Sequence, residues 1–117
     1  MREDAMSGRA PRQKGNRVER EIVRLLQDAG FAAERVPLSG SAGGSYVGDI
    51  TVPLLRRDLV CEVKARRHGF QQLYGWLDGR DLLIVRADRC QPLVVLPLEL
   101  ATKIAIIAET KLKFSQT

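Results

Sequence analysis

The sequence predicts an α/β domain in which a mixed β-sheet is flanked by helices, and three observations carry that prediction. Apolar residues recur at helical spacing near the start of the chain, short β-rich runs fill the middle, and helical spacing returns at the end. A length of 117 residues leaves room for one domain, and 44% hydrophobic with 28% charged residues is ordinary for a globular fold. A chain of this size buries enough surface to fold without disulfides. Cys61 and Cys90 fit neither a disulfide framework nor a four-ligand zinc site, so both read as structural thiols in a reducing interior.

Residues 1–15 carry Gly, Pro, Ser, Arg and Gln with little to bury, which predicts a flexible basic arm ahead of a single domain over 16–117. Asn16 has the character of an N-cap, and Val18, Ile22, Leu25, Leu26 and Ala29 form an apolar stripe that Gly30 ends in a left-handed stop. Residues 31–37 alternate and read as a short strand that Pro37 closes. Residues 39–48 hold four glycines and three serines, which predicts a loop.

Residues 49–55 and 58–64 are rich in Ile, Val, Leu and Thr, with a polar break at Arg56 and Arg57, which predicts a hairpin turning between those arginines. In that register Asp49 faces Lys64 and Thr51 faces Glu62, all on one face. Residues 68–79 predict a short helix containing Tyr74 and Trp76, where an aromatic is more often core than interface. Strands over 81–87 and 92–97 and a helix over 98–113 complete the order.

Nineteen basic against fourteen acidic side chains leave a net charge of +5, concentrated in residues 1–24 and 56–67. A polyanion is the natural partner of such segments. No apolar run is long enough for a spanning helix and the first fourteen residues lack the apolar core of a signal peptide, so a cytoplasmic protein without a membrane partner is expected.

The chemistry concentrates at Cys61-Glu62-Val63-Lys64. Alternation sends Cys61 and Val63 toward the core and sets Glu62 and Lys64 together near Asp49. Two carboxylates are hard oxygen ligands suited to Mg²⁺, and a neighbouring lysine can orient a water or stabilise charge. Taken alone, the same residues are an ordinary cross-strand ion pair on an exposed face. Glu19 borders the apolar stripe of the first helix and can face the sheet while partly solvated, but Asn16-x-x-Glu19 also has capping-box spacing. Glu21 flanks the opposite border, and periodicity does not choose between them. His68 reads as a solvated or phosphate-facing side chain, and no nucleotide-binding glycine loop is present.

Lys14-Gly15, Glu19-Arg20-Glu21, Gly48-Asp49 and Glu62-Val63-Lys64 together resemble the archaeal-type Holliday-junction resolvases of the PD-(D/E)xK nuclease superfamily, including phage versions, over about residues 14–97. The resemblance implies a restriction-endonuclease-like fold and Mg²⁺-dependent hydrolysis, with Mn²⁺ as a substitute. It also implies a homodimer making paired nicks in branched DNA, with 5′-phosphate products. It assigns Glu19, Asp49, Glu62 and Lys64 to catalysis, and it gives the metal to Asp49, Glu62 and the Val63 carbonyl. DNA contact is expected from Lys14, Arg17, Ser39, Ser41, Arg56, Arg57, Arg66 and Arg67. Gly48 stands where the superfamily name has proline, and only sixteen residues separate Lys64 from the strand at Asp81. A nickase or restriction-like nuclease on duplex or branched DNA, and a non-catalytic junction-binding protein, are the alternatives.

Overall fold

The computed structural model describes residues 10–36 and 49–115, with side chains from 16–36 and 50–115. Its order is α1 (Ala10–Asp28), β1 (Glu34–Arg35), β2 (Asp49–Leu54), β3 (Arg57–Glu62), α2 (Gln71–Leu77), β4 (Leu83–Val85), β5 (Leu93–Val95) and α3 (Leu98–Ser115). The sequence of helix, strand, hairpin, helix, two strands and helix is the expected one. The single mixed sheet is not: the described strands form a three-stranded sheet β1-β2-β3 and a separate two-stranded sheet β4-β5, and every ladder is antiparallel.

Helix α1 starts at Ala10, not Asn16, so residues 10–15 of the expected arm are helical. Pro11 is compatible with this because the first turn has no use for its missing N–H. Asn16 therefore lies inside the helix and caps nothing. At the other end the helix stops as its glycine predicts. Gly30 sits at φ 107°, its N–H bonds the Gln27 carbonyl at 3.0 Å, and the Phe31 N–H bonds the Leu26 carbonyl at 3.0 Å. This pair of bonds is the Schellman closure, and Leu26 and Phe31, both buried, belong to one apolar cluster beneath it.

That cluster is the core. Leu26, Phe31, Ala33, Ile50 and Val52 are buried, with Ile22, Val23, Leu54, Cys61 and Val63 packed around them. Helix α3 reaches it through Ala105 and Ile106. Strand alternation explains the composition: Ile50 and Val52 of β2 share the inward face with Cys61 of β3. Pro53 is accommodated in the middle strand because β1 pairs only with Ile50 and Thr51, so that among the described residues no strand lies beside Pro53 on that edge to need its missing N–H.

The hairpin register differs from the expected one by two residues. Asp49 pairs with Glu62, Ile50 with Cys61 and Leu54 with Arg57, so the turn is Leu55-Arg56 rather than Arg56-Arg57. Both turn residues have positive φ, 57° and 65°. That is the twist a two-residue hairpin favours, adopted without the usual glycine or asparagine at roughly 1 kcal/mol per residue. The shift is even, so every residue keeps the face that alternation assigned to it.

Tyr74 and Trp76 are 75% and 51% exposed, which corrects the expectation that they are core. No side chain of α2 or α3 is fully buried. None of the described helices is long and apolar enough to cross a membrane.

Candidate active site

The open end of the β2–β3 hairpin brings together Asp49, Glu62 and Lys64, three of the residues singled out in the sequence. Glu62 ends β3, and two residues on Lys64 turns its ammonium back, so that Nζ lies 2.6 Å from Glu62 Oε2. Both side chains are about half exposed, so the pair is accessible to a ligand rather than sealed. Asp49 opens β2 directly opposite Glu62 in the ladder, and its side chain is outside the described residues. The shift in register thus brings Asp49 opposite a carboxylate where a lysine was expected. Val63 follows at once, half-buried against the core.

Glu62 and Lys64 also line one rim of a groove whose walls are Ile22 and Leu26 of α1, Ile50 and Val52 of β2, and Ala101 and Ala105 of α3. The groove is largely apolar, with Glu62 and Lys64 at this rim and Thr102 on the α3 side as its polar lining residues. Beside it, burial pushes the Cys61 thiol above its ordinary pKa, which keeps the sulfur protonated. Both Cys61 and Cys90 are free thiols.

Glu19 is placed differently from expectation. It is 4% exposed, not partly solvated, and its Oε1 accepts from Arg35 Nε at 2.7 Å. The same guanidinium donates through Nη2 to Asn16 Oδ1 at 3.0 Å, one helical turn earlier. Asn16-x-x-Glu19 is therefore a two-pronged receptor for Arg35 rather than a capping box. Arg35 pairs with Ile50 across the β1–β2 ladder, so it lies on the core side of the sheet, where α1 packs. Glu21 is exposed on the same helix. Sequence reading missed Arg35. Its signal was the buried carboxylate on the facing helix, which needs a cation when apolar surroundings remove its water.

A divalent ion fits the hairpin end on its donor set, since Glu62 offers an exposed carboxylate and Asp49 stands opposite. Among the described residues no group of three or more His, Cys, Asp or Glu is arranged to hold a metal, and this description does not include the Asp49 carboxylate. Glu19 is joined to Arg35 and not to Glu62. Of the residues expected to touch DNA, Arg17, Arg56, Arg57, Arg66 and Arg67 are exposed. The Lys14 side chain, Ser39 and Ser41 lie outside the description, as does the glycine- and serine-rich stretch before Asp49. His68 is exposed, with Nδ1 3.0 Å from Gln71 Nε2.

An α/β domain with a carboxylate and an ammonium paired at the open end of a hairpin is the class of molecule that these elements define. The archaeal Holliday junction resolvase (Hjc) family matches residues 10–75, and the chain belongs to that family. A crossover junction endodeoxyribonuclease Hjc of Sulfurisphaera tokodaii is 41% identical over 63 residues, covering 54% of this chain and 43% of the relative. Another of the same name, from Sulfolobus acidocaldarius, is 38% identical over 56 residues, covering 48% of this chain and 39% of the relative. The chain therefore aligns with about two fifths of the length of the curated relatives it matches. No solved structure matches it.

Proposed function

We propose that the chain is a Mg²⁺-dependent endodeoxyribonuclease that cuts four-way DNA junctions by phosphodiester hydrolysis, on a restriction-endonuclease-like domain over residues 16–117. The observation that carries this is the Glu62–Lys64 pair at 2.6 Å with Asp49 opposite in the ladder. Membership of the resolvase family and relatives named as crossover junction endodeoxyribonucleases support the substrate class.

Asp49, Glu62 and the Val63 carbonyl are the residues that would hold the ion, with Mn²⁺ able to replace Mg²⁺. When bound, such an ion lowers the pKa of a coordinated water and screens the phosphate. Lys64, held by Glu62, positions the attacking water by hydrogen bonding to its oxygen and offsets negative charge on the scissile phosphate. Glu62 serves two partners, and its charge keeps Lys64 from straying toward other phosphates. Glu19 acts at one remove: held by Arg35, which also donates to Asn16, it sets the position of α1 on the sheet and supplies negative charge behind the site. Lys14, Arg17, Ser39, Ser41, Arg56, Arg57, Arg66 and Arg67 supply the phosphate contacts.

A homodimer provides the two sites that paired nicks require. Its support is the apolar exposure of the second half of the chain, where Ile84 and Val94, partners across the β4–β5 ladder, are 65% and 56% exposed. The deciding experiment incubates the protein with equal amounts of four-way junction, duplex, flap and single-stranded DNA, with and without Mg²⁺, and maps every cut. Symmetric nicks confined to the junction are expected. Cutting of plain duplex alone would make it a nickase or restriction-like enzyme, and junction binding without any cut would make it a binding protein.

A further inference from the structure

At the far end of the hairpin from Glu62, β2 and β3 are joined by Leu55 and Arg56 alone. Both are left-handed, at φ 57° and 65°, where a β-carbon crowds the following carbonyl and Asn-Gly is the usual choice. Here the two positions carry a branched apolar side chain and an arginine. Burial does not compensate: Leu55 is 52% exposed, and Arg56 and Arg57 are exposed beside it. The tip is held from outside the hairpin, by Glu109 of α3, whose Oε2 accepts the Leu55 N–H at 2.9 Å. The result is a braced projection that ends in an apolar side chain followed by two cations.

We infer that the Leu55-Arg56-Arg57 tip is a DNA-reading wedge, in which Leu55 packs against an open base step at the branch point while Arg56 and Arg57 hold the flanking phosphates. This rests on the reading that branched DNA is the substrate. Apolar wedges enter between bases at the expense of stacking, and a junction centre offers steps whose stacking is already interrupted. Arg57 and Glu62 are five steps apart on β3. That is about 17 Å at the rise of an antiparallel strand. Half a turn of B-DNA also spans about 17 Å. One copy of the protein can therefore place its tip at the branch with the Glu62 end of the hairpin against a phosphodiester in the same half-turn. The strained turn acquires a purpose on this view, since a glycine tip would adopt the same left-handed turn with no apolar side chain to present to the bases.

Leu55→Asn is the informative variant, because asparagine tolerates left-handed φ and removes the apolar point. Four-way junctions with 2-aminopurine at a branch-point base, and matched duplexes with the same probe, are titrated with the full chain without divalent metal. Wild type is expected to brighten the junction probe and leave the duplex probe unchanged. L55N is expected to lose that response and to bind the junction about tenfold more weakly, while duplex affinity holds, in keeping with a wedge that engages only open steps. Its melting temperature should hold or rise. An unchanged probe response and an unchanged junction-to-duplex affinity ratio in L55N would overturn the wedge. The two readings fail separately: a wild type that nicks junctions while L55N matches its probe response loses only the wedge. A wild type that nicks nothing while L55N loses the response loses only the nuclease.

Discussion

Arg35 shows how one side chain partners a buried carboxylate. Glu19 is 4% exposed, and it pairs with a guanidinium 2.7 Å away. Arg35→Ala leaves that carboxylate buried and unpaired, at a cost of about 1–3 kcal/mol read as a lowered melting temperature. Glu19→Gln keeps an oxygen for Arg35 Nε and costs less. If Glu19 contributes charge to the reaction, E19Q loses cleavage with its melting temperature nearly intact; full activity would restrict Glu19 to holding α1 on the sheet. Glu62→Gln makes the complementary test at the accessible pair. It removes the charge proposed to face the metal and the electrostatic tether of Lys64 with little change in volume. Cleavage should fall by about two orders of magnitude or more, as for loss of a group that acts in the transition state, while junction affinity is kept or strengthened. Gel-shift and single-turnover nicking on the same preparation separate the two effects, and retained nicking in E62Q would remove Glu62 from the metal.

Elements were legible where their signals are local. The apolar stripe of α1 and Gly30 at its end are written in the residues themselves, and both are present in the structure. Gly30→Ala should therefore be costly twice over, because φ 107° strains any β-carbon and one built there meets Ile106 Cδ1 at 3.3 Å. A loss of about 1–2 kcal/mol is expected from the left-handed geometry, measured by chemical denaturation. The start of α1 was not legible, since Gly15 and Pro11 both argue against a helix and only the first-turn tolerance of proline permits it. The hairpin register was missed for a related reason. A polar Arg-Arg pair resembles a turn, whereas Leu55 in a left-handed conformation has no sequence signature. The facing of Glu62 and Lys64 survived that error because alternation depends on parity, not on the turn. Arg35 escaped notice because its meaning comes from Glu19, sixteen residues earlier in the chain.

Across the whole molecule, burial is uneven in a way that bears on assembly. Among the described residues the buried side chains run from Glu19 to Val52, whereas Leu82 just before β4, Ile84 within it and Leu93, Val94, Ile104 and Ile107 after it are each more than two fifths exposed. A two-stranded sheet such as β4–β5 is marginal in water by itself, and three strands or a covering layer are needed to hold it. Ile84 and Val94 face each other across that ladder and form the centre of its exposed side. A second copy meeting on this side would cover the exposed β4–β5 face of each copy and set two Glu62–Lys64 pairs in one two-fold assembly. Ile84→Lys tests this without touching the site, for the side chain is 65% exposed and its replacement buries no charge in a single copy. Light scattering should report a dimer for wild type and a shift toward monomer for I84K. Mapping of junction cuts should change in step, from paired symmetric nicks to single nicks on one strand, with Glu62 still required for each. If I84K remains dimeric and still makes paired cuts, the two-fold contact lies on another face; a monomeric wild type that makes paired cuts would require that successive, independent nicks replace the symmetric pair.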